Sequence, residues 1–292
     1  MIIVLTGPTG SGKSALAIEL ANRIGAAIIN ADAFQVYQEL SIATAKPSLQ
    51  ERSLAPHYLF DFVPLDEEYS VYSYQKDLRR TVAELEGRYP HLIIAGGTGL
   101  YIRSALYDYE FAESPKIDMS RFDSYSNEEL HDELKKVDSE AAEAIHMNNR
   151  RRVLRALEIY LSTGKRKSEI EEKQTHKPIY PCLFFGLNKE REDVYSLCDR
   201  RVDKMFDMGL LEENKRLFDL YGTGKRAFQA IGVKETIPYF EGEIGLEECK
   251  RQIKVHTRQY VKRQMTFFSH QFELYWIDEI GPILDKIAAK PE

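Results

Sequence analysis

The stretch GPTGSGKS at residues 7–14 constrains this chain more than any other feature. It follows the apolar run MIIVLT (1–6), which predicts a buried strand. It precedes SALAIELANRIG (14–25), which predicts a helix that ends at Gly25. A Gly-x-x-x-x-Gly-Lys-Ser pattern between a strand and a helix is a P-loop, whose backbone N–H groups and helix N-terminus bind phosphate. We therefore expect a phosphorylated ligand, since a glycine-rich turn that binds nothing would not need both flanks and the whole signature.

The P-loop pattern also gives roles to individual side chains. Lys13 is expected to reach the outer phosphate, and the Ser14 hydroxyl is expected to ligate Mg²⁺. The predicted phosphate-binding residues are Gly7, Pro8, Thr9, Gly10, Ser11, Gly12, Lys13 and Ser14.

The alternation of short apolar runs with helical patterns predicts an α/β fold. Further strands are expected at 26–32, 57–63, 91–98, 182–188 and 273–278, and a helix is expected at 69–88. This order predicts a P-loop parallel sheet core flanked by helices, with ligands at the carboxyl ends of the strands. The C-terminal half reads as helix-rich.

The region after Tyr107 interrupts this alternation. Its first part is polar, and Ser126 followed by Glu129 predicts a capping box at the start of a helix over 127–137. We predict a small helical insertion lobe at 108–146, and a core formed by 1–107 and 147–292.

The composition limits the class of protein and its location. The chain has 292 residues, of which 43% are hydrophobic and 29% charged, as in ordinary soluble globular proteins. No apolar run approaches the roughly 20 residues of a membrane-spanning helix, and the N-terminus does not resemble a signal peptide. The three scattered cysteines suggest neither disulfides nor a metal site, so we expect a cytoplasmic protein.

Two acidic residues bear on what the phosphate is for. P-loop NTPases usually carry a second acidic residue at a strand end, but the strand before GGTG (96–99) has none, and Asp61 lies inside a predicted strand. Asp32 ends the predicted strand at 26–32, at the edge where the P-loop opens. Its carboxylate could be a general base or a simple backbone cap, and the residue alone favours the cap.

The stretches around these residues carry a resemblance to a known family. NADAFQVYQELSIATAKP (30–47) and GGTGLY (96–101), together with the P-loop, resemble the tRNA dimethylallyltransferases of the bacterial type. The resemblance continues through blocks at 138–169, 200–213, 227–235 and 257–268 and so covers nearly the whole chain. The chain departs from the family's usual residues at Ala33, Met147, Asn149, Leu197 and Val233.

The resemblance implies a reaction in which the bound diphosphate is a leaving group. The P-loop would hold dimethylallyl diphosphate, and the prenyl group would pass to N6 of the adenosine 3′-adjacent to the anticodon of a tRNA. Lys13, Mg²⁺ on Ser14 and Arg201 would neutralise the departing diphosphate. Asp32 would accept the N6 proton, so the implied catalytic residues are Asp32, Lys13, Thr98 and Arg201.

The same resemblance implies tRNA contacts by Asp32, Ala33, Phe34, Gln35 and Thr98. Gln35 would recognise adenine through its amide. Basic clusters suggest further contacts, although the net charge of the chain is −6. Residues 249–272 contain no acidic residue, and at helical spacing Lys254, Arg258 and Lys262 share one face, opposite Tyr260. The predicted RNA-binding cations are Arg121, Arg150, Arg151, Arg152, Arg155, Lys254, Arg258 and Lys262.

Several interpretations remain open from the residues. Any single basic run can be a solvated helix face. A P-loop kinase of a small metabolite, a non-catalytic RNA-binding module and a prenyltransferase of free adenine nucleotides all share some of these features. We expect a tRNA partner and a monomeric protein without a membrane segment.

Overall fold

The computed structural model describes residues 1–111 and 117–289. The chain forms two compact units, one of Met1–Leu106 with Tyr180–Glu292 and one of Tyr107–Ile179. The second unit runs from Tyr107 to Ile179, whereas the insertion lobe predicted from the sequence spans 108–146.

The first unit contains a six-stranded sheet in which every neighbouring pair is parallel. Its strands are β1 (Ile2–Thr6), β2 (Ala27–Asn30), β3 (His57–Tyr58), β4 (Leu92–Ala95), β5 (Cys182–Leu187) and β6 (Tyr275–Ile277), in the order β3-β2-β4-β1-β5-β6. All five residues of β1 are buried, as expected for a parallel strand covered on both faces. This arrangement confirms the predicted α/β core and brings the ends of β1, β2 and β4 to one edge.

The third strand is much shorter than the predicted 57–63. The chain leaves the sheet at Leu59, which has a φ of 61°, and Asp61 has a φ of 54°. Left-handed residues cannot continue a strand, and the Asp61 carboxylate instead pairs with the buried ammonium of Lys46 and with Arg52 Nη2, 2.6 Å away. Asp61 is therefore not a metal-binding acid at a strand tip.

The helices predicted at 14–25, 69–88 and 127–137 are present, each within three residues of its expected ends. Over residues 1–111 and 117–289, the helices before the second unit are α1 (Lys13–Ile24), α2 (Leu49–Arg52), α3 (Val71–Leu85) and α4 (Gly99–Leu106). Those described within it are α5 (Asn127–Val137), α6 (Ser139–Ala144), α7 (Arg150–Thr163) and α8 (Lys167–Glu172). Those described after it are α9 (Arg191–Asp207), α10 (Leu210–Tyr221), α11 (Ile237–Phe240), α12 (Leu246–Gln271) and α13 (Gly281–Ala288). In the described residues no helix is long and apolar enough to span a membrane.

The capping box at the start of α5 is present as predicted. The Ser126 hydroxyl accepts from the Glu129 N–H at 3.2 Å, and the Glu129 carboxylate accepts from the Ser126 N–H at 2.7 Å. Two backbone donors at the helix start are thereby satisfied.

The second unit extends to Ile179 because α7 shares its hydrophobic core with α5. Leu130 and Leu134 of α5 pack in one cluster with Val153 and Leu157 of α7, and all four are buried. Burial of a shared apolar face makes these helices one unit. A boundary at residue 146 would divide this core between α5 and α7.

Candidate active site

The P-loop forms the predicted turn between β1 and α1. Gly7, Gly10 and Gly12 have φ values of 147°, 77° and 92°, which L side chains rarely adopt. A side chain on Gly10 would also meet Cys198 Sγ at 3.0 Å. Gly12 caps α1 without any side-chain hydrogen bond, so the first N–H groups of that helix are free to bind an anion.

Two cations line a cavity of about 290 Å³ at this turn. Lys13 Nζ donates to the Pro8 carbonyl at 2.7 Å. Arg201, from α9, donates from Nη1 to Thr9 Oγ1 at 3.1 Å and from Nη2 to the Thr44 carbonyl at 3.4 Å. Removal from water and, next, the positive charge of Arg201 lower the pKa of Lys13 to about 8, and removal from water also lowers the pKa of Arg201. Such a cavity favours an anion, because a bound negative charge would raise the pKa values of Lys13 and Arg201 again and so stabilise their charged forms.

Asp32 lies two residues beyond β2, and its backbone is held by the side chain of Asn30. Asn30 Oδ1 accepts from the Asp32 N–H at 3.0 Å, and Nδ2 donates to the Asp32 carbonyl at 3.2 Å. The Asp32 carboxylate accepts at Oδ1 from the N–H groups of Phe34 at 2.9 Å and Gln35 at 3.4 Å. Among the described residues Oδ2 has no hydrogen-bond partner, so one oxygen orients the carboxylate while the other remains available.

A second cavity of about 100 Å³ adjoins the first at Asp32. The two cavities share Thr9, Asp32, Thr44 and Arg201. The other lining residues of the second cavity are largely apolar and include Phe34, Cys198, Val202, Met205, Ile253 and Tyr260. The site thus combines a cationic cavity and an apolar one, with a carboxylate where they meet.

Two other predicted loop residues, Thr98 and Gln35, form hydrogen bonds with backbone groups of the site. Thr98 Oγ1 accepts from the Ala33 N–H at 3.0 Å, so it connects the loop after β4 to the loop after β2. Gln35 lines the first cavity, but its Nε2 donates to the carbonyls of Thr44 at 3.0 Å and Ala45 at 3.3 Å. Only the amide oxygen of Gln35 is left for a ligand. The paired donor and acceptor contact with adenine is therefore not available in this conformation.

Sequence reasoning missed Gln264 of α12. It is 4% exposed, accepts at Oε1 from the Thr9 N–H at 2.9 Å, and donates from Nε2 to the Gly97 carbonyl at 2.9 Å. A signal was present, because at helical spacing Gln264 lies on the same face as Tyr260, opposite the basic residues. A polar residue on an apolar helix face needs a buried partner.

Glu213 of α10 is a second residue that the sequence did not reveal. Its carboxylate accepts from three successive backbone N–H groups, those of Ser41 at 3.1 Å, Ile42 at 3.0 Å and Ala43 at 3.2 Å. This contact anchors the segment that leads into Thr44, a residue shared by both cavities.

We expect Glu213→Ala to lower the free energy of unfolding by about 2–3 kcal/mol, because three donors lose a charged acceptor. The exposed neighbour Glu212 provides a matched control, and Glu212→Ala should stay within about 0.5 kcal/mol of the wild type. Denaturant unfolding measures both variants, and equal stabilities would show that the carboxylate does not anchor the loop.

The predicted basic face of α12 is partly neutralised by α9. Lys254 Nζ lies 2.6 Å from Asp203 Oδ1, and the Arg258 guanidinium pairs with Asp199. The two acids are one helical turn apart, as are the two cations, so the helices match in register. Lys254 and Arg258 are therefore paired with acids in this structure, whereas Lys262 is exposed. Their contacts with RNA stay a prediction.

The predicted cations of the second unit also differ in their surroundings. Arg150 donates to the carbonyls of Tyr125 at 2.6 Å and Phe122 at 2.8 Å, so it stabilises the fold of this unit. Arg155 pairs with Glu158 at 2.7 Å. Arg121, Arg151 and Arg152 are exposed and have no ion pair within the described parts of the chain.

Comparison with known proteins identifies the family. The model of the IPP transferase family matches residues 35–271. The tRNA dimethylallyltransferase of Anoxybacillus flavithermus is 43% identical over 279 residues, which cover 95% of this chain and 90% of that protein. The enzyme of the same name from Bacillus licheniformis is 43% identical over 97% of this chain and 92% of its own length.

Solved structures agree with the sequence matches. The tRNA delta(2)-isopentenylpyrophosphate transferase of Staphylococcus epidermidis is 37% identical, with a TM-score of 0.72 over 98% of this chain and 97% of that one. A eukaryotic dimethylallyltransferase acting on tRNA is 30% identical, with a TM-score of 0.87 over 99% of this chain and 80% of that one. The P-loop, a carboxylate and an arginine lie together at one edge of the sheet, and the relatives match nearly the whole chain. The chain therefore belongs to the IPP transferase family.

Proposed function

We propose that this protein is a tRNA dimethylallyltransferase. It transfers a dimethylallyl group from dimethylallyl diphosphate to N6 of the adenosine 3′-adjacent to the anticodon and releases diphosphate. The observation that carries the proposal is the position of Asp32, at the junction of a cationic cavity and an apolar one. This pairing suits a substrate with a charged leaving group and a hydrocarbon part.

The cationic cavity supports departure of the diphosphate. In the reaction the bond between N6 and the allylic carbon forms, the carbon–oxygen bond breaks, and its electron pair leaves with the diphosphate. The negative charge that develops on the bridging oxygen is stabilised by Lys13, Arg201 and the N–H groups at the start of α1. Lys13 and Arg201 both line this cavity, which supports their assignment to this role.

The Asp32 carboxylate supports proton removal from the amine. An exocyclic adenine amine is a weak nucleophile because its lone pair is delocalised into the ring. As N6 attacks, its proton passes to Asp32 Oδ2, the oxygen with no partner among the described residues, while Oδ1 stays bonded to the Phe34 N–H. The target base must be unstacked to reach this carboxylate, which costs least in a single-stranded loop such as the anticodon loop.

Magnesium fits the site as an ion held mainly by the substrate. No group of three or more His, Cys, Asp or Glu side chains that could hold a metal occurs in the described chain. Mg²⁺ usually keeps several waters and binds through substrate phosphates with few protein ligands. Ser14, exposed in the first turn of α1, would supply a hydroxyl ligand, and the ion would add positive charge beside the diphosphate.

The exposed cations support binding of the tRNA backbone, and their salt dependence tests this. Each lost phosphate contact reduces the slope of log K against log salt by about 0.7–1. We expect Lys262→Ala to lower the slope by this amount. Lys254→Ala should lower it less, because Lys254 already pairs with Asp203. Titrations of tRNA at several salt concentrations measure both slopes. A larger decrease for Lys254→Ala than for Lys262→Ala would show that Lys262 does not contact the RNA backbone.

The alternative functions receive less support. A P-loop kinase normally holds its magnesium with an acid at a strand tip, whereas β4 leads into Gly96 and Gly97 and the Asp61 carboxylate is paired with Lys46 and Arg52. A non-catalytic RNA-binding module would have no use for an oriented carboxylate between two cavities. We also propose that the protein is a monomer and acts in the cytoplasm, where tRNA takes part in translation.

The experiment that tests the proposed function uses the purified protein, unmodified tRNA, dimethylallyl diphosphate and Mg²⁺. Digestion of the tRNA to nucleosides and mass spectrometry should reveal prenylated adenosine at the position after the anticodon. Parallel reactions with free adenine nucleotides should yield no prenylated product. Product from the free nucleotides alone would overturn the assignment of tRNA as acceptor.

A further inference from the structure

We infer that Gln264 is a positioning residue that holds the diphosphate-binding loop and the loop beside the general base at a fixed separation. The inference rests on the proposed function, since it concerns how the donor and acceptor sides of that reaction are aligned. The side chain of Gln264 lines the larger cavity and contacts both loops.

Each end of the Gln264 amide binds a different loop. Oε1 accepts from the N–H of Thr9, a P-loop residue whose hydroxyl also accepts from Arg201 at 3.1 Å. Nε2 donates to the carbonyl of Gly97, the neighbour of Thr98. Thr98 in turn accepts from the Ala33 N–H next to Asp32. One amide therefore connects the residues around the leaving group with those around the base.

The chemistry of the two partners fixes the orientation of the amide. The Thr9 N–H can only donate, and the Gly97 carbonyl can only accept, so the amide oxygen must face Thr9 and its nitrogen must face Gly97. A carboxylate, a hydrocarbon or a flipped amide would leave at least one buried group unsatisfied.

The side chain of Gln264 is closely packed at this contact. Gln264 is 4% exposed, and a Cβ on Gly97 would lie 2.3 Å from its Nε2. One turn earlier on α12, the Tyr260 hydroxyl donates to the same Gly97 carbonyl at 3.4 Å. One turn later, the Phe267 ring would lie 2.3 Å from a Cβ on Gly99. The inner face of α12 thus follows the backbone of the GGTG loop closely, and a shift of either loop is transmitted to the other.

The expected consequence is a loss of alignment without a loss of binding. A misplacement of about 1 Å between reacting groups can lower a rate roughly 100-fold. We expect Gln264→Met, which keeps the approximate shape and removes both hydrogen bonds, to lower kcat by about 10–100-fold. The Kd for tRNA should change by no more than about twofold, the range of a neutral surface substitution.

A second variant separates positioning from simple loss of stability. In Gln264→Glu the carboxylate can accept from Thr9 but repels the Gly97 carbonyl, whereas the protonated acid can donate to that carbonyl. Burial raises the pKa of such an acid. The activity of Gln264→Glu relative to the wild type should therefore rise as pH falls from about 8 to about 6. A residue that only stabilised the fold would not produce this dependence.

The experiment measures kcat, KM for dimethylallyl diphosphate and tRNA Kd for the wild type, Gln264→Met, Gln264→Glu and the control Gln259→Met. Gln259 is exposed on the same helix, so its variant should behave as the wild type. Reduced kcat with retained tRNA binding, and recovery of the Glu variant at low pH, support the inference. Unchanged kcat in both variants, or a Glu variant with no pH recovery, overturns it. A wild type without prenyl transfer would instead refute the proposed function, and should Gln264→Met not fold, the pH profile of Gln264→Glu decides.

Discussion

Replacement of Asp32 by asparagine is expected to lower kcat for prenyl transfer by about 10²–10⁴-fold, the usual contribution of a general base. The amide keeps the shape of the side chain and can still accept from the Phe34 N–H at Oδ1, so the loop should not rearrange. It cannot take a proton from adenine N6. The tRNA Kd should stay within about twofold of the wild type, because a base acts mainly in the transition state.

Asp207→Asn provides the matched control, since Asp207 ends α9 and is exposed. Single-turnover kinetics at saturating tRNA separate the chemical step from binding. Near-normal transfer by Asp32→Asn would show that Asp32 only caps the backbone. That is the interpretation favoured when the residue is considered without the family resemblance. Equal losses in kcat and in tRNA affinity would also contradict its role as a base.

Replacement of Lys13 by methionine should have the second largest effect. Loss of one donor to a developing anion typically costs about 10²–10³-fold, and we expect this loss in kcat/KM for dimethylallyl diphosphate. Lys189→Met, at an exposed position beyond β5, should have no effect. Steady-state kinetics with varied diphosphate substrate measure both, and normal use of the substrate by Lys13→Met would show that the P-loop does not hold it.

The pH dependence of donor binding follows from the same lysine. The pKa of Lys13 is lowered to about 8, mainly by its removal from water, and under the proposed function its protonated form is expected to bind diphosphate. Affinity should therefore be fully present below about pH 8 and should fall as pH rises through that value, with proton uptake on binding. The variant Lys13→Met should lose this dependence. Calorimetric titrations with inorganic diphosphate in buffers of different ionisation enthalpy measure the proton uptake.

The elements that follow from local patterns were predictable from the sequence. The buried run of β1, the P-loop glycines and the start of α1 are specified within residues 1–14, since strand burial, positive φ and the helix start all depend on neighbours in the chain. The capping box at Ser126 follows for the same reason. The family resemblance favoured the base role for Asp32 and added Thr98 and Arg201. The structure places Asp32 and Arg201 in the lining of both cavities, and Thr98 binds the N–H of Ala33 beside Asp32.

The features that depend on distant partners were not predictable in this way. The third strand ends early at a left-handed Leu59, and the nearby Asp61 is paired with Lys46 and Arg52. The basic face of α12 is paired with acids of α9 some fifty residues away in the chain, such as Asp203 opposite Lys254. Periodicity reveals which face of a helix is polar or apolar, but it does not reveal what lies opposite.

The same limit explains the incomplete prediction of the site. Gln264 binds Thr9, which is 255 residues away, and Glu213 binds the backbone of Ser41, 172 residues away. Both act on backbone groups, which carry no sequence signature. The extent of the second unit likewise depends on the packing of α7 against α5, which a pattern within either helix does not specify.

The most direct test of the central claim is the stoichiometry of a single reaction without any nucleoside triphosphate. The protein, Mg²⁺, dimethylallyl diphosphate and an unmodified anticodon stem-loop are mixed, and released diphosphate and prenylated adenosine are quantified together. If the P-loop neutralises a departing diphosphate while Asp32 deprotonates adenine N6, one diphosphate appears for each N6-prenylated adenosine. A requirement for ATP, or release of orthophosphate without modified adenosine, would contradict the account.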